Sequence, residues 1–243
     1  NLWRIVRMAL LVYLGVVLML SFFQRKMIYF PLRDTTIQTR DAGLPPGRIH
    51  DIQTTTQDGL ELHGWHVLAD GHSAANREEC DEQLASGELL VLYFSGNAAN
   101  RAYRVTEIEV LSRSQTDVFI FDYRGYGDND GSPSEDGLAR DAHAMWQHAT
   151  TERGVAPDRI VLYGESLGGG VAIRLASELS QAGTPPAGLI LRSTFSSLVD
   201  AGSYHYPWLP VRLVLRDRFP SADRISMVTC PIQIGRASCR ERG

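Results

Sequence analysis

The sequence predicts an α/β fold: a mostly parallel sheet with helices on both faces, preceded by one membrane-spanning helix. Three observations carry this. Short apolar or β-branched runs recur behind residue 30 and alternate with segments of helical pattern, which is how strand–helix–strand units read. One such run, 159–163, passes through Gly164-Glu165-Ser166-Leu167-Gly168 into a helical pattern. Residues 8–23 carry no charge at all.

At 243 residues the chain can bury one good core, as α/β folds of this size often do. Its 44% apolar content is ordinary for a globular protein, and a net charge of −4 gives no reason to expect nucleic acid as a partner. The three cysteines, Cys80, Cys230 and Cys239, have no metal-ligand spacing and no obvious pairing. Neither a metal nor a cofactor is expected, and there is no internal repeat.

The elements follow in order. Residues 5–23 form one apolar helix if Arg7 reaches outward, just long enough to span a bilayer. The run is apolar all round, unlike the core helix of a soluble protein. It ends in Leu20-Ser21-Phe22-Phe23-Gln24, a poor signal-peptidase site, so residues 1–28 read as an uncleaved anchor. Basic residues flank it on both sides, so the positive-inside rule does not choose an orientation. The expectation is a single-pass membrane protein; in a bacterium this means the inner membrane with the domain facing outward.

Two strands, 50–56 and 60–68, are joined by a turn at Asp58-Gly59. Residues 70–87 are polar and read as a surface loop. A strand at 88–94, a helix at 98–112 and a strand at 117–123 follow. Ser132-Pro133-Ser134-Glu135 announces a helix running to about 153, with Ser132 as N-cap, Pro133 in the first turn and Glu135 closing a capping box. The strand ending at Tyr163, a helix from about 169, a strand at 188–192 and a strand beginning at 231 complete the pattern.

Gly164 to Gly168 has the spacing G-x-S-x-G. In a chain with 22 glycines the bare string is a weak signal, but strand before and helix after is the context a nucleophile elbow requires. Ser166 then sits at the tip of a strained turn, with its hydroxyl off the top of the sheet and free helix N–H groups beside it.

Four blocks give the chain a family resemblance. They are Tyr29-Phe30-Pro31, then Ser95-Gly96-Asn97-Ala98-Ala99-Asn100, then 121–127 with 131–135 and Asp141-Ala142, then 163–169. In this order they resemble the α/β-hydrolase superfamily, and within it the membrane-anchored Bem46-like branch of ABHD12-, ABHD13- and ABHD17-type serine hydrolases. The resemblance implies the α/β-hydrolase fold over residues 29–233. It implies Ser166 as nucleophile, with the backbone N–H groups of Leu167 and Asn97 as the oxyanion hole. Ser95 stands where the family usually has His, and Asn129 where Ser is usual; Asn129 is given no role. The turn at 123–127 is read as packing against the elbow, with no catalytic residue in it.

A serine needs a base, and the base an orienting acid. His205 is the only histidine after Ser166, and Glu178 and Asp200 are the only acids between them. The resemblance instead places the acid after the strand at 231 and the histidine after one further strand, so the last strands and helix of the fold are expected to be missing here. Residues 234–243 depart from the family and look like the in-frame translation of a sequencing adapter, which would make Cys239 non-native; the alternative is a real, short, basic tail. The expected function is a membrane-anchored serine hydrolase cleaving carboxylic esters or thioesters of small or lipid acyl substrates through an acyl-enzyme, inactive as written. The alternative is a non-catalytic α/β-hydrolase-like binding protein that lacks the triad His and Asp.

Overall fold

The computed structural model describes residues 1–34, 36–87, 89–113 and 115–235. Residues 236–243 of the expected non-native tail, with Cys239, lie outside the described residues. The elements are α1 (Leu2–Ile28), β1 (Phe30–Pro31), β2 (Ile49–Thr55), β3 (Glu61–Val67), α2 (Arg77–Ser86), β4 (Leu89–Phe94), β5 (Ala98–Ala99), α3 (Val105–Ser112) and β6 (Thr116–Phe121). They continue with α4 (Glu135–Gln147), β7 (Ile160–Glu165), α5 (Leu167–Gln181), β8 (Gly188–Arg192), α6 (Leu198–His205), α7 (Val211–Val214), α8 (Ser221–Ile225) and β9 (Ile232–Gly235).

Seven strands form one sheet in the order β2-β3-β6-β4-β7-β8-β9. The β2–β3 and β3–β6 pairs are antiparallel; the remaining pairs are parallel. The chain leaves β4 toward β6 and later returns to β7 on β4's other side. The crevice where strand order reverses therefore lies at the carboxyl ends of β4 and β7, where doubly wound sheets bind ligands. Leu90, Leu92 and Phe94 of β4 point into the core beneath α4 and α5, while Val91 and Tyr93 point into a second core with Ile108 of α3. Burial on both faces explains why this strand reads as a continuous apolar run.

Three sequence expectations need correction. The polar stretch 70–87 is not all loop, because it contains α2. Asn76 caps it by accepting from Glu79 N at 3.0 Å while the Glu79 carboxylate accepts from Ala75 N at 2.7 Å, and Cys80 and Leu84 are its buried face. The helix expected over 98–112 begins only at Val105. Its first residues are drawn off by β1–β5 pairing, and by the buried Arg101, which binds Asp122 at 2.6 Å and Asp128 at 2.7 Å. The N-cap of α4 is Ser134, which accepts from Gly137 N at 3.1 Å, not Ser132. Glu135 closes no capping box: its carboxylate accepts from Arg218 N and Phe219 N, at 2.7 and 2.9 Å.

Helix α1 is longer than the sequence suggests and does not stand wholly apart. None of its most apolar eighteen-residue window is buried, and by length and composition it can cross a membrane. From Tyr13 to its last turns it docks on the segment after α6. Gln24 donates to Val214 O and accepts from Arg216 N, Arg25 pairs with the buried Asp217 at 3.0 Å, and Tyr13 donates to Trp208 O.

Two histidines lie buried beside the sheet. His66 bonds Asp117 at 2.7 Å with Arg153 on its other nitrogen, and His148 bonds Glu152 at 2.8 Å. Burial lowers both from the ordinary 6.5, against the pull of Asp117 and Glu152. The fold therefore favours neutral imidazoles. Their contribution is complete above about pH 6.5 and is lost as pH falls through it toward the depressed folded values. Between about pH 7.5 and about pH 5.5 the wild-type urea midpoint is expected to fall relative to that of His66→Gln, a comparison that cancels the opposite effect of Asp122, whose raised carboxyl takes up a proton in the same window. Parallel pH profiles of the two proteins contradict the assignment.

Candidate active site

The sequence between β7 and α5 forces an abrupt reversal. Ser166 has φ +51° and ψ −114°, a backbone conformation L-residues rarely adopt. Its surroundings hold it there. Ser166 N donates to Arg192 O at 2.9 Å, and Ser166 O accepts from Gly169 N at 3.0 Å and from Thr194 Oγ1 at 2.9 Å. Strand β8 and the loop after it thus pin the turn from the side. The flanking glycines are demanded by space: a Cβ on Gly164 would stand 2.6 Å from Gly169 Cα, and one on Gly168 would overlap the Phe94 carbonyl.

Above the serine lies the loop leaving β4. A Cβ on Gly96 would stand 3.6 Å from Ser166 Cβ, so this loop and the elbow face each other directly. Asn97 is fixed on three sides. Its carbonyl accepts from Phe30 N at 2.9 Å and Tyr126 Oη at 3.0 Å, and its side-chain amide donates to Ile28 O at 2.8 Å. Tyr123 Oη reaches Ser95 O at 3.2 Å. The 123–127 turn, read from the sequence as packing against the elbow, reaches the loop after β4 instead, through two tyrosine hydroxyls. Among the described residues the N–H groups of Asn97 and Leu167 donate to no backbone carbonyl.

The charged groups nearby are structural. Burial pushes the Asp122 carboxyl up to about 6, against the pull of Arg101. Asn129, given no role from the sequence, locks the end of β6: it accepts from His63 N and donates to Asp122 O. Arg104 was not singled out from the sequence. Its guanidinium donates to Ala98 O at 2.8 Å and stands 3.5 Å from Glu165, linking the residue before Ser166 to the loop above it. Thr194 was likewise missed, since no local pattern marks a hydroxyl that reaches the elbow from the next strand.

Among the described residues no histidine hydrogen-bonds Ser166. His50, His63, His66, His143 and His148 are engaged by Gly47, Glu61, Asp117, Glu178 and Glu152. His205 ends α6 and stacks edge-on against Tyr204. Asp200 meets Ser196 and Arg212, not His205. Glu178 holds His143 and Arg174.

Residues 90–220 match the family described as "Serine aminopeptidase, S33", more than half of the chain. This chain belongs to the α/β-hydrolase family. The α/β-hydrolase is 40% identical over 230 residues to "Uncharacterized protein Rv2307c" of Mycobacterium tuberculosis, covering 95% of this chain and 74% of that protein. It is 32% identical over 204 residues to the zebrafish (Danio rerio) protein named "Lysophosphatidylserine lipase ABHD12", covering 76% of this chain and 53%, about half, of the relative. Among solved structures it resembles an alpha-beta hydrolase from Vibrio vulnificus, with a TM-score of 0.63 at 23% identity over 77% of this chain and 63% of the other. It also resembles the Pyrococcus furiosus esterase Pf2001, with a TM-score of 0.58 at 20% identity over 84% and 76%. The last two likenesses are of fold.

Gly168→Ala in this α/β-hydrolase is expected to cost about 2–3 kcal/mol, because the new methyl meets backbone that cannot move aside. Gly154→Ala, at a glycine with open space around it, is expected to cost less, its only strain being a positive φ. Chemical denaturation of both variants checks the order; equal losses contradict the packing argument.

Proposed function

We propose that this α/β-hydrolase is a membrane-anchored serine hydrolase that cleaves carboxylic esters or thioesters, with Ser166 as nucleophile. The observation that carries the reading is the strained Ser166 backbone, held by three hydrogen bonds between β7, β8 and α5 and facing the Gly96–Asn97 loop. In this reading Ser166 Oγ attacks the acyl carbon and gives its proton to a base. The carbonyl oxygen gathers charge between the N–H groups of Asn97 and Leu167. The alcohol or thiol leaves with a proton, and water hydrolyses the acyl-enzyme. The ABHD12 relative's name supports a lipid ester, and α1 supports anchoring in the membrane where such esters reside.

The proposal takes the base and its acid from outside the described residues. A polypeptide of residues 1–235 is then expected to show no esterase activity beyond what an oxyanion hole alone supports, about 10³–10⁴-fold over water. A second reading, a non-catalytic binding protein, has one observation in its favour: no described histidine bonds Ser166.

Fluorophosphonate labelling of the whole protein separates the two. Labelling at one site, abolished in Ser166→Ala, is expected. No labelling of the wild-type protein favours the binding module, and persistent labelling of the variant means another nucleophile. Deletion of residues 1–26 is expected to release a folded domain from membranes. Release of an unfolded chain instead would show that the Gln24 and Arg25 docking is part of the core.

A further inference from the structure

A cavity of about 240 Å³ lies between α1 and the segment carrying α6 and α7. Val17, Leu20, Met27 and Ile28 form one wall, and Leu198, Ala201, Leu209, Val211, Val214 and Leu215 are among the residues of the other. Its polar neighbours are Ser21, Gln24, His205 and Tyr206; Gln24 is already satisfied, by Ser21 O, Val214 O and Arg216 N. A space so poor in free polar partners does not hold ordered water well, but does suit hydrocarbon.

Two further observations say what fills it. The first is what its wall is bonded to. Ile28 lies on its wall, and the Ile28 carbonyl is bonded by the side chain of Asn97, beside Gly96 and Ser166. One residue of the wall, Ile28, is therefore bonded to the loop that faces Ser166, although neither that loop nor the elbow lines the cavity itself. The second is what surrounds the rest. The segment behind it exposes Tyr204, Tyr206, Trp208 and Leu213, next to a helix whose outer face is apolar along its length. Tyr13 donates to Trp208 O, so this segment lies against the apolar stretch of α1, where exposed tyrosine and tryptophan suit contact with lipid.

We propose that the cavity is an acyl-chain site shared between α1 and the α6–α7 segment, so that the anchor helix is one wall of the substrate site as well as a tether. The occupant is the acyl chain of a single lipid ester, entering sideways from the bilayer along α1 with its ester group at the Gly96–Asn97 loop. The inference rests on the hydrolase reading for the position of the ester, and on the cavity alone for the position of the chain.

The test uses the whole chain in phosphatidylcholine vesicles and a decanoyl ester carrying a photoreactive diazirine near the chain end. After irradiation, peptide mapping is expected to find the probe on both walls, on the 17–28 stretch of α1 and on 198–215. Ala201→Trp, which fills the cavity, is expected to lower this labelling about tenfold. Leu209→Trp does the same from another position should the first variant fold poorly; a thermal melt identifies a folded variant. Ser166→Ala is expected to label as the wild type does, so loss of the hydrolase reading leaves this result standing. Probe only on the lipid-facing residues of α1, such as Leu11 and Leu18, overturns the proposal. So does labelling unchanged in both folded variants.

Discussion

Everything at the candidate site depends on one strained backbone turn. An L-residue at φ +51° is unfavourable, and three hydrogen bonds from three neighbours over-determine it. They fix where α5 begins, and with it the direction of the first free N–H, that of Leu167. The same turn requires glycine on both flanks, since β4 and α5 pass too close for a side chain. Parallel strands β4 and β7, side by side in register from Leu90 to Phe94, set this approach.

The second half of the site is held by a different kind of interaction. The Gly96–Asn97 loop has little regular structure of its own; it is tied down by hydrogen bonds from β1, from Tyr126, and from its own side chain to the end of α1. Arg104 joins the two halves through Ala98 and Glu165. Helix α1 is thereby coupled to the candidate site. Its last turns bind the 214–217 segment through Gln24 and Arg25, and its carboxyl end meets Asn97. A helix that composition marks only as apolar thus has a structural tie to the candidate site.

Much of this was legible in the sequence, and for physical reasons. The elbow was legible because strand, Gly-x-Ser-x-Gly and helix are contiguous, so the constraint is local. The hairpin at Asp58-Gly59 was legible because Gly59, at φ +81°, supplies a conformation other residues resist. Helix α2 was hidden by its polarity, although Asn76 and Glu79 carry a capping signal three residues apart. The start of α4 was misplaced because Glu135, a good local partner for the helix end, is taken by Arg218 and Phe219 from far along the chain. Thr194, Arg104 and the docking of α1 depend on contacts between distant segments, and periodicity and spacing carry no trace of them.

The central claim is that the elbow and the Gly96–Asn97 loop form one oxyanion-binding site around Ser166. A crystal structure of the protein after reaction with an alkyl fluorophosphonate tests it most directly. The account predicts phosphorus bonded to Ser166 Oγ, with its phosphoryl oxygen about 2.7–3.1 Å from the N–H groups of both Asn97 and Leu167. Phosphorus on any other residue, or a phosphoryl oxygen turned away from these two groups, would contradict it.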